Sequence, residues 1–271
     1  MLAVALVVVF ALGGELSPGR AGSSRALLWR ANMETGDLSQ WKLGGTGGLY
    51  NSGSWDASVS TARAHSGRFS LKATISTPSS PTSAVRAFRW DEARAHRTAF
   101  YSAWFYFPAA YTLTGNIATG QYWNIMQFKS RTTDDSRNDP IWMLNLGNRP
   151  GGGLLPHLVW SSEAPLAGPH QGESGYKEFA PRVPMQIPVG RWVHFEAFLR
   201  QSKDFDGQVA LWQDGVKIFD LKNVRTSYDN PSFDAWHADD EWSANNYSDG
   251  VSPNPATLYI DDAVISTRFV P

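Results

Sequence analysis

Two residues of this sequence have the types and placement for chemistry, Gln127 and Lys129 in QYWNIMQFKS (121–130). On an extended strand, alternate side chains share a face. Trp123, Ile125, Gln127 and Lys129 are then expected together, with Tyr122, Asn124, Met126 and Phe128 on the opposite face. A core does not take an unpaired ammonium group, and a plain solvent face has no need of Trp123. A sugar-binding cleft suits Trp123, Gln127 and Lys129 at once.

Other chemistries lack their residues. There is no GxSxG, HExxH, P-loop or dinucleotide glycine fingerprint. The six histidines show no metal-ligand spacing, and Glu196 has no acidic partner on its strand of the kind a retaining glycosidase needs. Zero cysteines exclude disulfides and thiolate metal sites. The formal net charge of −1 gives no global field to attract nucleic acid. Residues 60–100 nevertheless hold seven basic side chains against Asp91 and Glu92, and residues 204–262 hold twelve acids against three bases.

The elements that must position these residues are strands. Helical periodicity is scarce. Short alternating runs recur between Gly, Pro, Asn and Asp, over 68–74, 83–90, 99–107, 122–130, 141–147, 155–162, 191–201, 207–215, 216–221 and 256–267. QDG between two of them is a tight-turn signal. Ten strands at hairpin spacing predict an all-β sandwich of two antiparallel sheets, of jelly-roll type, spanning 30–271 as one domain. Trp104, Trp192 and Trp212 lie in apolar strands and are expected to be buried. The run LAVALVVVFALG (2–13) is too short to span a bilayer as a helix and has the length of a signal-peptide core, so residues 1–24 are expected to direct export. Nothing later reads as transmembrane.

In a jelly roll the first and last strands often pair. NMETGDLSQW near the start and LYIDDAVIS near the end could therefore supply one ion with hard oxygen donors. Glu34, Asp37 and Asp261, with Asp262 beside them, are candidate ligands for a structural Ca²⁺ that staples the termini.

The segments HSGRFSLKATI, SAVRAF, AWFYFP, NIMQFKS, PVGRWVHFEAFLRQS, GQVALWQDGVKIFD and LYIDDAVIS occur in an order that resembles the polysaccharide lyases grouped with heparin lyase I and glucuronan lyase. The resemblance spans about residues 30–268. It implies a concanavalin A-like jelly roll and β-elimination on a uronic acid. There an amide or cation neutralises the carboxylate beside C5. A Tyr or His takes the C5 proton, and often a Tyr returns one to the leaving oxygen. By that resemblance Gln127 falls at the Gln of a Q-x-H triplet and Lys129 falls where its His would be. Arg86 in SAVRAFRW (83–90) matches the arginine strand, with Arg89 as a further substrate contact. Tyr247 in WSANNYSDG (242–250) matches a late tyrosine, and Asn245, two residues before it, is expected on its face. His65, His96 or His157 could supply the missing imidazole.

These readings predict a secreted or periplasmic monomer that cleaves an anionic polysaccharide, without nucleic-acid or membrane partners. A non-catalytic, lectin-like jelly roll is the alternative, and a structural or adhesion domain with all its tryptophans in the core is a third.

Overall fold

The computed structural model describes residues 26–77, 82–115, 120–131, 138–162, 175–227 and 239–270. The expected signal segment lies outside them. In chain order the strands begin with β1 (Leu27–Ala31), β2 (Gly47–Ser52), β3 (Ser54–Ser60), β4 (Ser70–Ser76), β5 (Ser83–Trp90) and β6 (Thr98–Tyr106). Next come β7 (Thr112–Leu113), β8 (Trp123–Arg131), β9 (Asn138–Asn148), β10 (Leu154–Ser162) and β11 (Gly175–Phe179). The last are β12 (Trp192–Arg200), β13 (Gly207–Gln213), β14 (Val216–Val224), β15 (Asp239–Ser248), β16 (Val251–Ser252) and β17 (Ala256–Ser266). One short helix, Ser39–Lys42, follows β1.

Two antiparallel sheets make the sandwich. The eight-stranded sheet runs β14-β13-β12-β6-β17-β4-β3, with β1 added against β17. The seven-stranded sheet runs β11-β10-β9-β8-β15-β5-β2. The first and last long strands pair as expected. Among the described residues no helix is long and apolar enough to cross a membrane.

Period-two patterning builds the core. In β12 the inward Val193, Phe195, Ala197 and Leu199 are buried, and in β17 so are Leu258 and Ile260. From the other sheet come Trp123, Phe128, Trp142 and Trp242. Tyr101 meets Phe128 across the sandwich at 5.3 Å between ring centroids, and Trp41 closes one end against Trp29 and Trp242. Each large ring removed from water contributes about 2–3 kcal/mol. Trp104, Trp192 and Trp212 depart from the expectation of burial. They occupy the outward positions of β6, β12 and β13 and are only half-buried. In β12 the alternation does mark the side, since Trp192 shares its face with His194, Glu196 and Arg200, whereas in β6 and β13 aromatic and small residues on the outward face blur it.

Asn246 joins the two sheets. It is fully buried, and its Nδ2 donates to the carbonyls of Ala73 on β4 and Ala256 on β17 at 2.9 and 3.1 Å. Its Oδ1 accepts from Trp123 Nε1 at 2.8 Å. A buried amide is tolerated when its polar atoms are paired in this way.

Glu196, outward on β12, is covered by the C-terminal segment. Phe269 packs on Phe100 and Trp212, and Val270 N–H donates to Glu196 Oε1 at 2.9 Å. Oε2 is buried without a partner. Burial pushes this carboxyl up to about 7, against the opposing effect of the Val270 amide. The folded state therefore prefers the protonated form. The stability Glu196 contributes is present below its unfolded value of 4.5 and is lost as pH rises to about 7. We expect the difference in Tm between wild type and Glu196→Gln to grow across that interval, by the equivalent of about 2–3 kcal/mol. A thermal melt series from pH 4 to 8 checks it, and parallel curves would refute the assignment.

Candidate active site

The outward face of the seven-stranded sheet is polar, and strand register fixes who neighbours whom. Arg86 on β5 stands opposite Tyr50 on β2 and Asn245 on β15. Tyr247 stands opposite Asn124 on β8, Asn124 opposite Asn145 on β9, and Asn145 opposite His157 on β10. These residues make a band across six strands. The next outward row toward the other end of the strands carries Ser243, Gln127 and Met143, and the one after it Glu241, Lys129 and Ile141.

Strict alternation along β8 fails at Ile125. The register passes from Asn124↔Asn145 to Met126↔Leu144, so Ile125 is an extra residue against β9. β15 in turn places Asn245 and Asn246 opposite that single residue. Such a bulge reverses the phase of everything beyond it. Trp123 turns into the core against Phe107 and Tyr111, at 5.6 and 5.0 Å. Asn124 takes its place beside Gln127 and Lys129. Trp123 is fully buried and cannot form the wall of a cleft, contrary to the expectation from alternation. Arg89 is a second correction. It points to the opposite side from Arg86, is 3% exposed, donates to Trp41 O and Thr46 Oγ1, and pairs with Glu92. Its role is to close the end of the core beside Trp29.

The band is held by a chain of amides. Asn245 Nδ2 donates to Asn124 Oδ1 at 2.5 Å, and Asn124 Nδ2 donates to Asn145 Oδ1 at 2.9 Å and to Met126 O at 3.1 Å. Asn245 Oδ1 and Arg86 Nε are buried without protein partners. Arg86 lies over the Tyr247 ring, its Cζ 4.2 Å from the centroid, and reaches Tyr50 at 5.2 Å. Tyr122 donates to Tyr247 Oη at 3.1 Å. Burial raises the Tyr122 hydroxyl above its ordinary value, and the bond it gives Tyr247 raises it further. Tyr122 therefore keeps its proton directed at Tyr247 Oη.

A cavity of about 190 Å³ opens beside this pair, lined by Tyr122, Asn145, His157, Tyr176 and Glu178 among others. His157 Nδ1 is 2.5 Å from Glu178 Oε1. A Cβ on Gly147 would sit 2.7 Å from His157 Nε2, so only glycine leaves the ring room there. Of the three histidines that could replace the missing one, His157 is the one on this face. His65 stacks on Trp104 of the other sheet at 3.7 Å, and His96 sits in the turn after β5. A larger cavity of about 290 Å³, lined by Trp142, Trp160 and Phe179, opens on the core-facing side of the sheet and holds none of the expected residues.

Of the expected catalytic residues, Arg86 and Tyr247 come together and Asn245 joins them. Gln127 is outward and 6% exposed, between Ser243 and Met143. Lys129 is matched by Glu241 at 3.0 Å, so its charge is already neutralised. Tyr122, Asn124, Asn145 and Glu178 were not singled out in the sequence. The doublet Asn245-Asn246 was the available signal, since adjacent asparagines on one strand must serve both faces.

The expected calcium ligands divide. Glu34 Oε1 accepts from the amides of Arg68 and Phe69, and a Cβ on Gly67 would meet its carboxyl carbon at 2.4 Å. Asp261 Oδ2 accepts from the amide of His65 at 2.8 Å and more weakly from that of Ser66. Both acids thus reach one loop. Burial pushes Asp261 up to about 6 against the lowering by these amides. Asp37 is exposed and accepts from the Ser39 amide at 2.9 Å, not from the loop that Glu34 and Asp261 reach. No three or more acidic or histidine side chains converge among the described residues.

The buried Lys129–Glu241 pair yields a prediction. Lys129→Met or Glu241→Gln alone leaves the partner uncompensated and should cost on the order of 3 kcal/mol. The double variant should recover most of that, as read by urea denaturation. Strictly additive losses would show that the two charges do not depend on each other.

A family model described as polysaccharide lyase matches residues 33–261. A search of curated proteins gave no match. Among solved structures, endo-β-1,4-glucuronan lyase from the fungus Trichoderma reesei aligns with TM-score 0.56 at 17% identity, covering 84% of this chain and 93% of its own. An alginate lyase from Chlorella virus aligns at 0.54 and 11%, covering 89% and 100%. A marine alginate lyase from Aplysia kurodai aligns at 0.54 and 13%, covering 89% and 99%. At such identities these structures share the fold. The family match, over most of the chain, carries more: this protein belongs to the polysaccharide lyase family.

Proposed function

We propose that the protein cleaves a uronic acid polymer by β-elimination on the outward face of the seven-stranded sheet. The carrying observation is the Tyr122–Tyr247 hydroxyl pair beneath Arg86, beside the asparagine row. Similarity to a glucuronan lyase and to alginate lyases supports the uronate class.

In this reaction the C5 proton leaves, the C4–O4 bond breaks, a C4=C5 double bond forms, and O4 takes a proton. The developing charge on the carboxylate side needs donors already in place. Arg86 supplies a guanidinium. Asn245 and Asn124, fully buried, hold one another in register beside Arg86 and Tyr247 and so fix where those two side chains stand. Tyr247, oriented by the hydroxyl of Tyr122, takes the C5 proton as the phenolate and returns one to O4, so that it ends in the state in which it began. Gln127 contacts the substrate one row away, and His157, held by Glu178, contacts a neighbouring sugar unit.

Tyr50 and Tyr176 are 62% and 57% exposed on the two edge strands, β2 and β11. Six strand spacings separate these strands, about 29 Å. A polymer lying across the strands would meet a ring at either end.

Tyr247→Phe should lower kcat/KM about a thousandfold while polymer binding persists, and His157→Ala should act mainly on KM. The assay is unsaturated product absorbing near 235 nm, on glucuronan and alginate. A reversal of the two effects would move the proton transfer to His157. Binding without product on any polyuronate would leave the lectin-like reading.

Two further readings belong here. The apolar run at residues 2–13 supports export. A structural Ca²⁺ would be held by Glu34 and Asp261, tying the first strand and the last to the loop between them, with its remaining donors backbone oxygens. Tm should rise by several degrees with added Ca²⁺ over a chelator, and Glu34→Gln should abolish the rise. An identical Tm in both buffers would eliminate the ion.

A further inference from the structure

The outward face of the eight-stranded sheet, on the far side of the sandwich, carries a second ordered row. Register places Lys72 on β4 opposite Tyr259 on β17, Tyr259 opposite Tyr106 on β6, and Tyr106 opposite Trp192 on β12. Their neighbours along each strand, Leu71, Ile260, Phe105 and Val193, are buried in the core, so the row itself faces out. All four side chains are half-buried. The Tyr106 centroid is 5.5 Å from that of Trp192 and 6.0 Å from that of Tyr259. Arg63 donates to Tyr106 Oη at 3.1 Å, its Cζ 5.5 Å from the ring. Charges around the row are unbalanced toward positive. No acidic side chain pairs with Arg63 or Lys72 among the described residues. Of the acids nearby, Asp262 is held by His65 at 2.7 Å and Asp214 by Arg191 at 3.2 Å, while Asp56 stands exposed on the edge strand β3, diagonal to Lys72.

A hydrophobic strip of three rings on a solvent face needs a reason. The core does not use it, and contiguous exposed apolar surface favours association. Rings bordered by cations suit a chain with apolar ring faces and regularly spaced carboxylates. We propose that Trp192, Tyr106 and Tyr259, with Arg63 and Lys72, form a second, non-catalytic binding strip for an anionic polysaccharide. The chain would lie across the strands, as it does in the cleft. The strip would keep the protein on its polymer while the opposite face works, raising the local concentration of cleavable units. It rests on the uronate reading of the cleft only for the chemical class of the chain.

The test is affinity electrophoresis of the full chain in gels containing alginate, glucuronan or a neutral β-glucan. Tyr247→Phe serves as the background, so that the polymer survives. Trp192→Ala/Tyr259→Ala should relieve retardation by the polyuronates at least threefold, and Lys72→Gln should weaken it most at low salt, the difference from Lys72 closing as salt is added. Turnover of short oligouronates by Trp192→Ala/Tyr259→Ala, with Tyr247 intact, should equal wild type, and its melting curve reports folding. Trp192→Phe/Tyr259→Phe, which keeps the rings, should keep retardation if the first pair unfolds. Unchanged retardation in the alanine variant, or equal retardation by the neutral glucan, overturns the proposal. Retardation that depends on Trp192 without turnover of any uronate would overturn the lyase reading of the cleft and leave this strip standing.

Discussion

The packing of the site depends on one buried amide. Asn246 hangs from a strand of one sheet, bonds two carbonyls of the other, and receives the indole N–H of Trp123. Three such bonds in a dry interior contribute about 1 kcal/mol each. More important is what their loss would leave unpaired, namely two strand carbonyls and an indole donor inside the core. This penalty restricts β15 to one depth and one register. Neighbours on the same strand are thereby aimed: with Asn246 inward, Asn245 and Tyr247 have to face outward, on either side of it.

The bulge at Ile125 is the complementary constraint. Trp123 must reach Asn246, and Phe128 must reach Tyr101. Five residues separate them, an odd number, and strict alternation would put the two rings on opposite sides. One extra residue resolves the conflict. The same shift delivers Asn124 to the outward face, where Asn245 and Asn145 bond it. The polar row and the core are therefore two results of one register.

Much of this was legible in the sequence. SAVRAFRW is a strand over the predicted residues, and GQVALWQDGVKIFD is the hairpin its QDG announced. Gln127 and Lys129 could be named because each is polar in a strand with apolar neighbours, whereas Arg86 and Tyr247 were legible only through the family resemblance, and Asn245 through its place two residues before Tyr247. The face of Trp123 could not be read, because a bulge has no local signature when both alternatives, Trp and Asn, suit some face. β15 did not register as a strand because its inward residues include an asparagine and its outward ones are polar, which hides the period. The carboxylates across from Lys129 and His157 arrive from β15 and β11, and pairing across a sheet leaves no mark in linear spacing.

The pairing of β1 with β17 decides which sheet holds the chain ends. Both described ends of the chain, near residues 26 and 270, belong to the eight-stranded sheet and not to the sheet that carries the tyrosine pair. Phe269 and Val270 fold back over Trp212 and Glu196, so the described C-terminal segment serves as cover for the far face of the sandwich.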